Sequence, residues 1–126
     1  MQCPVCKNSM VILELDKVEI DYCPSCKGIW LDNGELELLM EDQQSQDKKL
    51  KSFKSVNDVP EKKYRCPICN KKMDKVEYED SQIIIDRCKN EHGLWFDKGE
   101  LSSLLKQYES NRDNKVLSLL KNIFGD

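Results

Sequence analysis

The 126-residue sequence has a single histidine, and aromatic residues make up only 7% of it. No apolar run approaches the roughly eighteen residues of a transmembrane helix, so no membrane span is expected. The first residues show no charged segment followed by an apolar run, which argues against a secretory signal and predicts a cytoplasmic protein. The net charge of −3 argues against general, sequence-independent nucleic-acid binding, which depends on basic contacts to phosphates.

Cysteine is the abundant reactive residue, with seven copies in the chain. An odd number does not suit a closed disulfide framework, and disulfides do not persist in a reducing cytosol. A bound metal is therefore the first explanation for these cysteines.

The sequence repeats itself. Cys-Pro-x-Cys at residues 3–6 returns at 66–69, and the segment 28–36 returns at 93–101. The offset between the copies grows from 63 to 65 residues, so the second copy has two extra residues near Asp80-Ser81. We predict a first unit at residues 1–42, a polar linker at 43–63, a second unit at 64–110 and a C-terminal helix at 111–126.

Each unit shows the same local pattern of secondary structure. Residues 10–15 and 18–22 are apolar or alternate between apolar and acidic, which predicts a β-hairpin turning at Asp16-Lys17. Asp32 followed by Glu35 matches a capping box, as does Asp97 followed by Glu100, so a short helix should follow each hairpin.

Three further features of the sequence lead to predictions. Gly34 and Gly99 are unusual in a first helical turn, and we attribute them to close approach of the ribbon backbone. Residues 43–62 are mostly polar, which favours a solvated linker over a continued helix with a weak apolar stripe. The last segment predicts an amphipathic helix with apolar residues Val116, Leu117, Leu119, Leu120, Ile123 and Phe124.

The cysteine spacing predicts two metal sites. Two C-x2-C pairs sixteen residues apart are typical of a zinc ribbon, in which four thiolates converge on the ion. In the second unit a histidine replaces the fourth cysteine, one residue later. The predicted ligands are Cys3, Cys6, Cys23 and Cys26 for the first Zn²⁺, and Cys66, Cys69, Cys88 and His92 for the second. All seven cysteines and the only histidine are then used.

Other interpretations of these residues are less favoured. A redox C-x-x-C dithiol normally opens a long helix in a thioredoxin-like unit, and that context is missing. Trp30 and Trp95 could form a binding platform, but in so small a unit they more often belong to the core. The predicted fold is a small, metal-stabilised α+β protein. It has two zinc ribbons, each a β-hairpin with zinc knuckles followed by a short α-helix, and a C-terminal amphipathic helix.

The motif Cys-Pro-x-Cys, a hairpin, then Cys-Pro-x-Cys-x-Gly-x-Trp-Leu-Asp-x-Gly-Glu-Leu resembles the TFIIB-type zinc-finger family of prokaryotic zinc-ribbon proteins. Residues 3–36 follow this motif throughout. Residues 66–101 follow it with Cys88-Lys89-Asn90-Glu91-His92-Gly93 in place of the second pair. The resemblance implies zinc binding and a ribbon fold, and it implies no enzymatic activity.

The favoured function is a non-catalytic binding or adaptor module for a protein partner. Self-association through Val116, Leu117, Leu120, Ile123 and Phe124 is one form this binding could take, and folding of that helix onto a ribbon is the other. Catalysis is not expected, because both zinc sites look closed and no histidine or cysteine remains as base or nucleophile. We further expect a chelator to unfold both units and Cys23→Ser to unfold only the first.

Two alternative functions stay open. A transcription-related nucleic-acid-binding ribbon would need its basic residues on one surface, although two zinc ions bound by seven thiolates lower the net charge from −3 to −6. The basic residues that the nucleic-acid-binding ribbon would need are Lys62, Lys63, Arg65, Lys71, Lys72, Lys75 and Arg87. The other alternative is a thiol redox or zinc-store switch.

Overall fold

The computed structural model describes residues 1–15, 18–39, 53–56, 63–78 and 81–107. The strands in these residues are β1 (Val11–Leu15), β2 (Val18–Tyr22), β3 (Ile29–Asp32), β4 (Phe53–Ser55), β5 (Asp74–Tyr78), β6 (Ile84–Arg87) and β7 (Gly93–Phe96), and the helices are α1 (Glu35–Leu39) and α2 (Glu100–Gln107). The predicted hairpin turn at Asp16-Lys17 and the predicted C-terminal helix at 111–126 lie outside the described residues.

All seven strands form one antiparallel sheet in the order β1-β2-β3-β7-β6-β5-β4. Each unit contributes a three-stranded meander, in which the hairpin is followed by a strand, β3 or β7, that is buried on both faces. The two meanders join through β3 and β7, where Trp30 lies opposite Trp95 and Leu31 opposite Leu94. The repeat thus builds a single sheet from two related halves rather than two separate ribbons.

The joint between β3 and β7 brings each tryptophan ring against a glycine. The Trp95 ring lies where a methyl group on Gly28 would stand, and a methyl group on Gly93 would lie 2.7 Å from Cζ2 of Trp30. Each tryptophan therefore packs against the glycine of the other unit. Both tryptophans are 0% exposed, which confirms their prediction as core residues. The main-chain N–H of Asn33 also donates a 3.0 Å hydrogen bond across the joint to the carbonyl of His92.

The sheet separates two buried clusters, one on each face. On one face the strand side chains pack with the apolar residues of the two helices, among them Leu36, Leu101, Leu104 and Leu105. The other face holds the two tryptophans together with buried cysteines and two methionines. Successive residues of a strand point to opposite faces, so Trp30 can face the cysteines while Leu31 faces the helices.

Strand β4 lies in a segment that was predicted to be a linker. Phe53, Lys54 and Ser55 lie within residues 43–63, which were predicted as solvated linker, but they pair with β5 opposite Tyr78, Glu77 and Val76. Phe53 packs edge-on against Tyr78, with ring centroids 5.2 Å apart. The linker prediction is wrong for these residues because a three-residue edge strand is too short to show a period in a polar sequence.

Both helices begin with the predicted glutamate cap. The main-chain N–H of Asp32 donates to Glu35 Oε1 at 2.7 Å, and that of Asp97 to Glu100 Oε1 at 2.8 Å. The explanation offered for the glycines is wrong, since nothing lies within 4 Å of a Cβ built on Gly34 or Gly99. Their φ values of 93° and 83° explain the choice of glycine.

The acidic surroundings of Glu35 make stability depend on pH. Burial, together with the nearby carboxylates of Asp32 and Asp21, raises the pKa of Glu35 to about 7. The folded protein therefore holds the Glu35 proton more tightly than the unfolded chain, and this group lowers stability as pH rises from about 4.5 to 7.

We expect Glu35→Gln to raise the urea midpoint of the zinc-loaded protein at pH 8 and to raise it less at pH 6, where Glu35 of the folded protein is still mostly protonated. The amide is neutral at both pH values and can still accept the Asp32 hydrogen bond. Glu14→Gln, on an exposed strand position, is the matched control. An equal gain at both pH values would contradict the explanation.

We expect Gly93→Ala to lower the free energy of unfolding by about 3 kcal/mol, because the methyl group would overlap the Leu31 carbonyl and Trp30 and would force the strands apart. Gly34→Ala is the control, since it adds only the strain of a positive φ, about 1 kcal/mol. Chemical denaturation of both variants measures the difference. Equal losses would show that the joint tolerates a side chain at Gly93.

Candidate metal centres

The ligands lie on four tight knuckles at the ends of the strands. In the first knuckle the Cys3 carbonyl accepts the N–H of Lys7 at 3.0 Å, and the Cys3 N–H donates to the Asn8 carbonyl at 2.8 Å. Lys7 has a positive φ of 67°, which turns the chain back after the second cysteine. The knuckle at Cys66 repeats these bonds with Asn70 in the left-handed position.

The first site brings together the four predicted cysteines. The sulfur atoms of Cys3 and Cys26 are 3.4 Å apart, as are those of Cys6 and Cys23. All four sulfur atoms lie within 4.8 Å of one another. A tetrahedral zinc ion with bonds of about 2.3 Å to sulfur needs edges of about 3.8 Å, so this cluster fits Zn²⁺.

The second site brings together Cys66, Cys69, Cys88 and His92. The imidazole presents Nδ1, which lies 3.5 Å from Cys88 Sγ and 3.8 Å from Cys66 Sγ, while Cys69 Sγ and Cys88 Sγ are 3.6 Å apart. A bond of about 2.0 Å to nitrogen shortens the sulfur–nitrogen edges to about 3.5 Å. The second cluster therefore fits Zn²⁺ with three thiolates and one imidazole.

A change of turn explains why histidine comes one residue late. Lys27 donates its N–H to the Cys23 carbonyl and has a φ of 68°. In the second unit Glu91, the counterpart of Cys26, makes the equivalent bond to Cys88 and has a φ of 61°. The turn is one residue tighter, so the ligand follows the left-handed residue instead of preceding it.

Amide groups surround the sulfur atoms. Main-chain N–H groups donate to the first cysteine of each knuckle, for example Val5 to Cys3 at 3.4 Å and Asn90 to Cys88 at 3.3 Å. The Asn8 side chain donates to Cys6 Sγ at 3.4 Å and to Ser25 Oγ at 3.1 Å, which links the two knuckles of the first site. Such partners orient ligands and stabilise thiolates.

In each site the surroundings favour ionisation of one thiol. Burial opposes ionisation of Cys23, but N–H donors and the Cys6 thiol lower its pKa to about 7. The N–H of Lys71 is the main cause that lowers the pKa of Cys69 to about 6. Burial raises the pKa of Cys3 and raises that of Cys66 to about 11. The last two thiols must therefore lose protons when the metal binds.

Comparison with protein families agrees with this geometry. The zinc-ribbon model described as transcription factor zinc-finger, TFIIB type, matches residues 2–42 and again residues 65–107. The chain belongs to this family. Its two matched segments correspond to the two halves of the sheet, and two Zn²⁺ ions fit the two ligand clusters. No curated protein and no solved structure matches the chain.

The zinc-ribbon signature Gly-x-Trp-x-Asp-x-Gly-Glu has a structural explanation at each position. Gly28 makes room for Trp95 of the other unit. The Trp30 indole N–H donates to Asp32 Oδ1 at 2.9 Å, so the buried ring has a partner for its polar atom. Gly34 provides a positive φ, and Glu35 caps the helix. The segment therefore determines the packing between the two units as well as the fold of each unit.

Several structural residues were not identified from the sequence. Asn8 and Asn90 were missed because an asparagine two residues from a cysteine has many other uses in a turn. Lys75 was considered only as a surface residue that a nucleic-acid-binding ribbon would need, but it is 4% exposed and its Nζ lies 2.8 Å from Asp86 Oδ1. Register could have indicated this pair, because the two residues are direct cross-strand neighbours.

The basic residues considered for nucleic acid do not form one surface. Lys75 faces the zinc side through its pair with Asp86, and Arg87, the next residue along β6, points to the opposite face. Arg87 lies over Phe53, with its guanidinium 5.7 Å from the ring centroid. Lys63, Arg65, Lys71 and Lys72 are exposed, whereas Lys62 lies outside the described residues.

No helix among the described residues is long and apolar enough to cross a membrane. The residues expected to support self-association, between 116 and 124, lie outside the described part of the chain.

The joined sheet changes the effect expected of losing one ligand. We expect Cys23→Ser to reduce bound zinc from two ions per chain to one or fewer, and also to weaken amide-exchange protection of β7. The reason is that Gly28 and β3, which follow Cys23, support Trp95 and β7.

Cys88→Ser is the matched control, and it should weaken protection of β3 reciprocally. Zinc analysis and hydrogen exchange on the same samples measure both effects. Unchanged protection of β7 in Cys23→Ser would show that the two units fold independently.

Proposed function

We propose that this tandem zinc ribbon is a non-catalytic adaptor that binds a protein partner. The observation that carries the proposal is the closure of both metal centres. Each cluster supplies four ligands, which is the full tetrahedral set of a structural zinc site. A catalytic zinc keeps a position open for water or substrate.

The residue inventory supports a non-catalytic role. The chain has seven cysteines and one histidine, and all eight belong to the two clusters. No thiol or imidazole is left to act as nucleophile or general base once both ions are bound. The zinc ions then serve to hold the knuckles on the sheet, since a unit of about forty residues has too small a core to fold alone.

The surface favours a protein over a nucleic acid. The net charge is −3 before metal binding and −6 with two zinc ions bound, so counterion release from phosphates would have to come from local patches. Exposed apolar side chains occur at Ile12 (66% exposed) and Val11 (45%). Apolar groups on an acidic surface favour contact with another protein.

A nucleic-acid-binding ribbon is the second candidate, because Lys63, Arg65, Lys71 and Lys72 are exposed around one knuckle. A redox or zinc-store switch is third, since the second cysteine of each C-x2-C pair is only half buried. Zinc release by stoichiometric peroxide would favour that switch over the adaptor.

The test is capture with the zinc-loaded full-length chain, with protein and nucleic acid recovered and quantified separately. We expect a defined protein to be retained, to be lost when the bait is treated with chelator, and to persist after nuclease treatment. Lys71→Glu with Lys72→Glu is the matched variant and should leave this capture unchanged. Recovery of nucleic acid alone, abolished by that double variant, would overturn the proposal.

A further inference from the structure

The twofold repeat of the sheet is broken at its two ends. Strand β5 carries β4 on its outer edge, with Ser55 opposite Val76 and the N–H of Val56 bonded to the Lys75 carbonyl at 2.9 Å. Its counterpart β1 is the other end of the sheet and has no partner on its outer edge among the described residues. The edge of β5, which β4 covers, therefore indicates what kind of strand the equivalent edge of β1 can accept.

The repeat assigns each contact of β4 to a position on β1. An offset of 63 residues relates Leu13, Glu14 and Leu15 to Val76, Glu77 and Tyr78. These last three residues are the partners of Ser55, Lys54 and Phe53. A strand added to β1 in the same register would thus place an apolar residue beside Leu15, a lysine beside Glu14 and a small residue beside Leu13.

The main chain of β1 is oriented to accept such a strand. Lys75 turns its carbonyl to β4, so its repeat counterpart Ile12 turns its carbonyl and N–H outward, and Glu14 does the same two residues later. Edge strands are usually protected by lysine, proline or a bulge, and β1 (sequence VILEL) has neither lysine nor proline.

Two apolar side chains of β1 are exposed to solvent. Ile12 is 66% exposed and Val11 is 45% exposed, whereas Lys75, the counterpart of Ile12, is 4% exposed. Leu13 is half buried and packs at the border of the helix-facing core. An apolar side chain added beside Leu15, the counterpart of Tyr78, would extend that core as Phe53 does against Tyr78.

The charge of the first unit indicates which kind of segment the edge of β1 can bind. Residues 1–40 contain seven acidic and three basic residues. Asp21 lies directly opposite Ile12, at the position where Asp86 meets Lys75 in the second unit. The first unit therefore keeps the carboxylate of this pair and has isoleucine in place of the lysine. A basic segment complements this edge, and an acidic one is repelled.

We propose that the outer edge of β1 binds an extended segment of a partner protein by antiparallel strand addition. The segment has an apolar or aromatic residue, then lysine, then a small residue, as in Phe53-Lys54-Ser55. This inference rests on the proposed adaptor function and names its binding site. The main-chain bonds give affinity, and the side-chain pattern gives selectivity.

The probe is a synthetic peptide with the sequence of residues 51–57, titrated into the isotope-labelled, zinc-loaded full chain. We expect amide shifts centred on Val11–Leu15, with saturation at high peptide concentration. Peptides with Phe53→Ala or Lys54→Glu should bind about fivefold more weakly, the size of one cross-strand pair. Shifts centred on Asp74–Tyr78, or no shifts at all, would overturn the proposal.

Glu14→Lys is the protein variant that tests the edge. Glu14 is exposed, so the fold and two bound zinc ions should persist. Peptide binding should fall about fivefold, because the new lysine would lie beside the lysine of the peptide, where like charges repel. Leu38→Lys, at a 51% exposed position on α1, is the control and should leave binding unchanged.

Two other occupants of the edge have distinct signatures. Protection of β1 amides that grows with protein concentration, without peptide, would indicate a second copy. Protection that is independent of concentration, together with failure of the peptide to bind, would indicate that the chain covers its own edge. Either result would overturn the proposal.

The variant also separates this inference from the proposed function. If Glu14→Lys captures the same protein partner as the unchanged chain, the edge site is wrong and the adaptor function stands. If neither chain captures a protein, the adaptor function itself fails. Loss of the partner only in Glu14→Lys supports both.

Discussion

The structure depends on the antiparallel pairing of β3 with β7, where Trp30 and Trp95 meet and each packs on a glycine of the other unit. A buried tryptophan removes about 150–250 Å² from water, or about 4–6 kcal/mol at 25 cal/mol per Å². Two such residues at one joint are comparable with the whole stability of a small domain. The joint therefore decides that the repeat folds as one sheet, and each zinc site is supported by residues of both units.

Local features of this chain were predictable because local chemistry determines them. Ligand spacing identified both metal clusters, and the alternation of residues 18–22 identified a strand, since thiolate geometry and strand period leave direct marks in the sequence. The pairing of β3 with β7 leaves no such mark. A run such as Ile29-Trp30-Leu31 is apolar on both faces, which indicates burial but does not name the strand beside it. The ion pair of Lys75 with Asp86 was not predicted, because it depends on the register of β5 against β6 and not on local pattern.

The glycines of the signature were recognised as part of the motif, but the reason given for Gly34 and Gly99 was wrong. Gly34 was attributed to close packing and instead provides a positive φ, while Gly28 and Gly93 provide the close packing. Both properties follow from the absence of Cβ, and the sequence alone does not distinguish them. The distinction matters for the family signature, because a glycine that accommodates the tryptophan of another unit ties the motif to pairing between units.

The two halves of the sheet differ at their outer strands. The second unit covers β5 with β4 and neutralises Asp86 with Lys75, so its edge is closed by the chain itself. At the equivalent positions the first unit has Ile12 exposed over a half-buried Asp21. Burial, together with the carboxylates of Asp32 and Glu19, raises the pKa of Asp21. A duplicated fold needs only one intact zinc scaffold per half, so the outer strand of the first unit is free to differ without loss of the metal sites or the joint.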